Sequence, residues 1–206
     1  MANQAQSLLK SRREDTSDAI TTVPSLGLQH VWFKIAGAKT GQSLALVPVE
    51  PEVSTLAAAR SMALVAAQQP HSRVLVVNAS LAGCQAALSQ ESAVIVRPDF
   101  NVAFGEGLAA NCDYVDFAQL CFDEGERALT FAPRLLDDLA TEGKRYNVAI
   151  FAVDSPLVQT RAIPLVRSLD AVAICVALGR TTFAAARELV DIVGRERVIG
   201  AVTLES

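Results

Sequence analysis

From Ser43 onward, short continuous apolar runs alternate with stretches of helical periodicity. Leu44–Val47 is the first apolar run and ends at Pro48. Ser54 is a good helix N-cap residue, and the Ala-rich stretch Thr55–Gln69 after it predicts a helix. Arg73–Val77 reads as a second buried strand. A less regular middle follows, with a strand expected at Ala93–Val96 and a Gly-containing stretch around Phe104–Asn111. Glu126–Glu142 predicts a helix, interrupted or restarted at Pro133. Then come a strand at Asn147–Val153, a helix at Leu157–Ser168 kinked near Pro164, and a strand at Ala171–Leu178. A helix at Thr182–Gly194 and a strand at Val198–Thr203 close the pattern.

This order is β-α-β, an insert, then α-β-α-β-α-β. Strands that are apolar throughout, rather than alternating, are buried on both faces, as in a parallel sheet. With right-handed crossovers, the expected fold is α/β: a doubly wound, mostly parallel sheet with helices on both faces, a three-layer α/β/α arrangement. Residues 1–28 are polar and include Lys10-Ser11-Arg12-Arg13-Glu14-Asp15 and Pro24. They are expected to form a mobile arm with a short helix near Gln6–Arg13, and residues 29–206 a single domain.

Composition narrows the function classes. The 206 residues fit one domain, and 51% hydrophobic against 19% charged residues supply ample core. A net charge of -4 argues against nucleic acid as a partner. No stretch approaches the roughly 20 apolar residues of a membrane span, and the N-terminus has no signal-type apolar region, so a cytoplasmic location is expected. Cys84, Cys112, Cys121 and Cys175 lack CxxC spacing, and the only histidines are His30 and His71. No metal site is expected, and Cys175 reads as a buried small hydrophobe.

Ligands of such sheets bind beyond the carboxyl ends of the strands. After the first strand, where a Walker A loop GxxxxGK[ST] would cradle phosphates, the chain reads Pro48-Val49-Glu50-Pro51-Glu52-Val53-Ser54-Thr55. Ser54 and Thr55 remain at the helix start. The glycines are gone, Val53 stands where Lys would be, and Pro51 has no N–H to offer. A helix N-terminus favours an anion by roughly 0.3–1 kcal/mol. A carboxylate such as Glu50 or Glu52 about 4 Å from a phosphate opposes it by roughly 1–4 kcal/mol, so nucleotide binding is disfavoured. The second turn reads Asn78-Ala79-Ser80 and the third Asp154-Ser155-Pro156. Asp154 suits metal or water positioning; equally, Asp154 and Ser155 suit capping of the next helix.

Together these turns resemble the bacterial tyrosine kinases (BY-kinases) of capsule and exopolysaccharide export, within the MinD/ParA group of deviant P-loop ATPases. The resemblance rests on Tyr146-Asn147, Asp154-Ser155-Pro156, the run Asp170–Val176, Gly179-Arg180-Thr181 and Val198–Val202. Upstream, Ser54–Ala59, Arg73–Ser80 and Phe131–Leu136 are similar to the Walker A helix, the strand entering the second acidic motif and the helix before Walker B. It spans roughly residues 40–204. Its departures are equally specific: Asn78 and Ser80 stand where the family has two Asp residues, the arm lacks a Glu-x-x-Arg-x-x-Arg helix, and only Tyr114 and Tyr146 are present.

The resemblance, read with these losses, implies a non-catalytic pseudo-ATPase or pseudokinase acting as accessory or scaffold in exopolysaccharide or capsule biosynthesis and export. Its expected partner is a membrane polysaccharide co-polymerase or another polysaccharide-assembly protein, reached from the cytoplasm and at the inner membrane only through that partner. A homodimer or oligomer through Pro48–Val53 is a further expectation. No catalytic residue is expected, Asp154 being a remnant, and the degenerate loop comprises Pro48, Glu50, Glu52, Val53, Ser54, Thr55, Asn78 and Ser80. No cofactor is expected. Two alternatives stay open. One is an active, divergent ATP- and magnesium-dependent tyrosine autokinase or ATPase using Asp154, Ser54 and Thr55 with Arg60 or Arg180 as cation. The other is a ParA/SulA-like partner-binding regulator of division or positioning.

Overall fold

The computed structural model describes residues 32, 42–69, 72–80, 93–96, 101–104, 110–119, 134–137, 139 and 146–204. The expected arm at 1–28, the expected helix near Gln6–Arg13, both histidines, Cys84 and Cys121 lie outside the described residues, as does most of the expected helix at Glu126–Glu142. Of that helix, residues 134–137 and 139 are helical.

Eight strands form one sheet: β1 (Gln42–Pro48), β2 (Val74–Asn78), β3 (Ala93–Val96), β4 (Asn101–Phe104), β5 (Cys112–Gln119), β6 (Val148–Ala152), β7 (Ala171–Ala177) and β8 (Val198–Leu204). Their order is β3-β4-β5-β2-β6-β1-β7-β8. The six from β5 to β8 in that order are parallel, and β4 runs antiparallel to both β3 and β5. The helices are α1 (Leu56–Ala67), α2 (Ala162–Ser168) and α3 (Phe183–Val193), and a 3-10 turn, Arg195–Arg197, leads into β8. The expected doubly wound α/β fold is therefore present, with an antiparallel pair added at one edge.

Each central strand divides its side chains between two cores. Ala45, Val47, Leu75, Val77, Phe151, Val172 and Ile174 face one core with Leu135, Leu165, Leu189 and Val193 from the helical layer. Leu44, Leu46, Val74, Val76, Ile150, Ala173 and Cys175 face the other with Ala59, Met62 and Ala66 of α1 and with Trp32. Burial on both faces is why these strands are apolar throughout. Ala58, Ala59, Ala63 and Ala66 form most of α1's buried side, and their small volume lets the helix lie close on the sheet.

Three local expectations are corrected. The helix at 56–67 takes Thr55, not Ser54, as its N-cap, and Thr55 caps with its backbone geometry alone because its hydroxyl is used elsewhere. The helix expected at Leu157–Ser168 begins only at Ala162. Turns precede it, with the Ser155 carbonyl accepting the amides of Val158 and Gln159, so neither Asp154 nor Ser155 caps α2. Pro164 falls in the first turn of α2, where its missing N–H costs no intrahelical bond, and so it marks a start, not a kink. The third correction is β5, a core parallel strand inside the stretch read as an irregular insert.

Candidate functional site: a closed loop at the carboxyl edge

The carboxyl ends of β2, β6, β1 and β7 lie side by side in the sheet, and the polar residues predicted from sequence collect there. Pro48 ends β1 in register with Cys175 of β7, and the Val49 amide continues the ladder by donating to the Cys175 carbonyl at 3.0 Å. Glu50-Pro51-Glu52-Val53 then forms a tight turn, the Val53 amide donating to the Glu50 carbonyl at 3.2 Å. Proline is favoured at the second position of such a turn because its φ is already set there. An amide that a phosphate cradle would aim at its ligand is thus consumed inside the loop.

Three side chains fasten this turn to its neighbours. Thr55 is buried, and its hydroxyl donates to the Val153 carbonyl at 3.3 Å. Ser155, also buried, donates to the Val49 carbonyl at 2.9 Å. The carboxylate of Glu50 accepts the Thr181 hydroxyl at 2.5 Å, and Thr181 Oγ1 in turn accepts the Ala177 amide at 2.9 Å. The loop after β1 is therefore tied on one side to the end of β6 and on the other to the turn after β7. Val53 is half-buried, while Pro51, Glu52 and Ser54 are exposed. The paired carboxylates expected from the sequence separate: Glu50 turns inward to Thr181, and Glu52 points to solvent.

A second cluster joins the end of β2 to the middle of β5. Asn78 Nδ2 donates to Asp116 Oδ1 at 2.8 Å and lies 3.3 Å from the Tyr114 hydroxyl, which itself donates to Asp116 Oδ1 at 2.5 Å. Ser80 Oγ donates back to Asn78 Oδ1 at 2.8 Å. Asn78, Tyr114 and Asp116 are all buried. The Arg60 guanidinium of α1 sits 4.7 Å from the centre of the Tyr114 ring, a cation–π distance. Burial, then the hydrogen bond and charge of Asp116, push the Tyr114 phenol up to about 12, against a smaller lowering by Asn78 and Arg60.

Asn78 and Ser80 are thus brought together as parts of an internal network closed by Tyr114 and Asp116. The sequence marks Tyr114 only as one of two tyrosines and does not mark Asp116, because Asp113 and Asp116 interrupt the apolar run of β5. The alternation of Cys112, Tyr114 and Asp116 with Asp113 and Val115 was the available signal. Thr181 was visible only within the Gly179-Arg180-Thr181 turn, and no local pattern pairs it with Glu50, 131 positions away. Asp154 is half-buried at the end of β6. Of the two cations weighed for the loop, Arg60 is engaged on Tyr114 and Arg180 lies exposed beside Thr181. Among the described residues no cluster of His, Cys, Asp and Glu has a metal-holding arrangement, and no helix is long and apolar enough to cross a membrane.

No protein-family model matches the sequence, and no curated protein matches it. Its likeness to solved structures is extensive. The chain superimposes on the VpsO kinase domain with a TM-score of 0.66 at 14% identity, covering 94% of this chain and 98% of that one. For the BceF tyrosine kinase domain the TM-score is 0.61 at 17% identity, covering 100% of this chain and 89% of the other. For the kinase domain of the Escherichia coli tyrosine kinase ETK it is 0.61 at 14% identity, with coverage of 86% and 75%. With nearly whole domains superimposed and few side chains shared, the chain has the P-loop-type α/β/α fold of the bacterial tyrosine kinase domains.

Proposed function

We propose that this protein is a non-catalytic relative of the BY-kinases that works by protein–protein contact, as an accessory or scaffold in exopolysaccharide or capsule assembly. The observation that carries the reading is the closure of the loop after β1. Its turn amide is bonded internally, its Glu50 carboxylate is held by Thr181, and the Thr55 hydroxyl at the helix start donates to the Val153 carbonyl. A nucleotide phosphate would have to break these bonds and tolerate a carboxylate in the loop, with no lysine to offset either cost. Surface chemistry supports the contact role. Among the described residues the exposed large apolar side chains are Val158, Leu178 and Phe183, at 61%, 62% and 84% exposure. Val158 and Leu178 lie on the connections that follow β6 and β7, and Phe183 opens α3, all at the edge where ligands of this fold bind.

The partner that fits the resemblance is a membrane polysaccharide co-polymerase or another polysaccharide-assembly protein, met from the cytoplasmic side. Titration calorimetry with magnesium-ATP tests the central claim. No heat of binding is expected through the micromolar range. Micromolar binding that is lost in Ser54→Ala or Asp154→Asn would replace this reading with an active, divergent ATPase or kinase.

A further inference from the structure

Leu178 opens the turn between β7 and α3, Phe183 is the first residue of α3, and both are exposed. The backbone between them is held at several points. The Arg180 and Thr181 amides donate to the Ala177 carbonyl at 3.2 and 3.0 Å, and the Ala177 amide donates back to Thr181 Oγ1. Gly179 takes φ 76°, a conformation that favours glycine. Thr182 caps α3, its side chain accepting the Ala185 amide at 3.2 Å. The two apolar side chains are thus presented by a hydrogen-bonded turn, where docking has little backbone left to order.

The charge around this pair is positive. Arg180 is exposed between the two, and Arg187 is exposed one turn after Phe183, on the same side of α3. Neither arginine forms an ion pair among the described residues. The amino end of α3 adds its own positive potential. Of the neighbouring carboxylates, Glu50 is held by Thr181, Asp191 pairs with Arg195, and Glu52 points to solvent from the adjoining loop. Glu188, five positions from Phe183, lies well round the helix from it.

We propose that this turn docks an acidic segment of a partner protein. A leucine or aromatic side chain of the segment packs on Leu178 and Phe183, and its carboxylates meet Arg180 and Arg187. Aromatic and arginine side chains are the types enriched at protein interfaces. A second copy meeting the turn with its own turn would set arginines against arginines across the two-fold. Two arginines are too few to hold a chain of net charge -4 on an anionic bilayer. The proposal names the partner's chemistry for the contact role above and rests on that role, not on the state of the phosphate loop.

Short random peptides displayed on phage, selected on the full chain and counter-selected on Phe183→Ser, test it. Peptides with Asp or Glu beside a leucine or aromatic residue should be enriched. The leading peptide, made synthetically and titrated by fluorescence anisotropy, should bind Phe183→Ser and the double variant Arg180→Glu, Arg187→Glu about tenfold or more weakly than wild type. No enrichment, enriched peptides without carboxylates, or unchanged affinity in either variant would overturn the proposal. So would wild-type binding to phosphatidylserine vesicles, or a dimer by sedimentation, if Phe183→Ser abolishes it; these assign the turn to a membrane or to a second copy. Should a variant misfold by circular dichroism, hydrogen exchange on the wild type decides: the peptide must slow the Arg180, Thr181 and Ala185 amides, and unchanged exchange counts against docking there. Magnesium-ATP binding would overturn the non-catalytic reading without touching this surface, whereas failed peptide selection would remove the surface and leave the closed loop standing.

Discussion

Thr181 holds two groups from different parts of the chain: its hydroxyl oxygen accepts the Ala177 amide at 2.9 Å and donates its own proton to Glu50 Oε2 at 2.5 Å. The first bond shapes the turn after β7, and the second draws the loop after β1 onto that turn. Glu50 is half-buried, so this clasp lies at the surface of the carboxyl edge, not in the core.

The two sides of the clasp should not be equivalent. Thr181→Val removes both bonds and leaves the Ala177 amide without its side-chain acceptor, whereas Glu50→Ala removes one bond and lets water reach the Thr181 hydroxyl. Denaturant unfolding should show Thr181→Val destabilised by about 1–3 kcal/mol and Glu50→Ala by about 0.5–1.5 kcal/mol. The double variant should cost little more than Thr181→Val alone, because the shared bond is lost only once. Equal costs for the single variants would mean that the turn does not rely on the Ala177 bond.

Restoring the acidic residue that the resemblance places at position 78 should harm this protein. Asn78 Nδ2 is a donor 2.8 Å from Asp116 Oδ1, and Asn78→Asp would replace it with a second buried carboxylate. Repulsion and the lost bond should lower stability by about 2–4 kcal/mol at neutral pH. The deficit should shrink on acidification, since a protonated carboxyl can donate to its neighbour. Adding Asp116→Asn should recover most of the loss by restoring one donor and one acceptor. Chemical denaturation of the three variants at neutral and acidic pH measures both effects.

Both tyrosines should resist ionisation in the native protein. Burial and Asp116 raise the Tyr114 phenol to about 12, and burial with the hydrogen bond and charge of Asp113 raises that of Tyr146 further. An unfolded tyrosine titrates near about 10. The folded state therefore binds the proton more tightly, and its advantage is fully present below about pH 10 and is lost as pH rises towards about 12 and beyond. Absorbance at phenolate wavelengths should stay flat through pH 10 in native protein and rise there in denaturant. Ionisation at the ordinary pH in the folded chain would contradict the buried bond of Tyr114 to Asp116, or the hydrogen bond that Tyr146 donates to Asp113 at 2.7 Å.

The architecture was legible in the sequence because its central strands are buried on both faces. Continuous apolar runs at Leu44–Val47, Arg73–Val77, Asn147–Val153 and Ala171–Leu178 leave few alternatives to a parallel sheet. Pro48 and Gly194 bound their elements for local reasons, Pro48 lacking an N–H and Gly194 lacking a Cβ. Gly194 adopts φ 100°, a conformation that favours glycine, and ends α3 where the sequence places it. The losses from the phosphate loop were equally visible, being matters of residue type: no lysine, no glycine, two carboxylates.

What the tertiary structure decided is where the polar groups go. Sequence placed Glu50 and Glu52 as a pair opposing phosphate, but only folding sends Glu50 to Thr181 and Glu52 to solvent. The sequence favours Ser54 as the cap of α1, and burial overrules it: Ser54 is exposed, whereas Thr55, lying against β6, must find the Val153 carbonyl because a buried hydroxyl needs a partner. β5 escaped notice because its two aspartates read as loop chemistry, yet one of them completes a buried network with Asn78 from a strand 38 positions away. Periodicity and residue type are local and survive in one dimension. The pairing of a buried polar group with its partner depends on which strands become neighbours, and that order exists only once the sheet has formed.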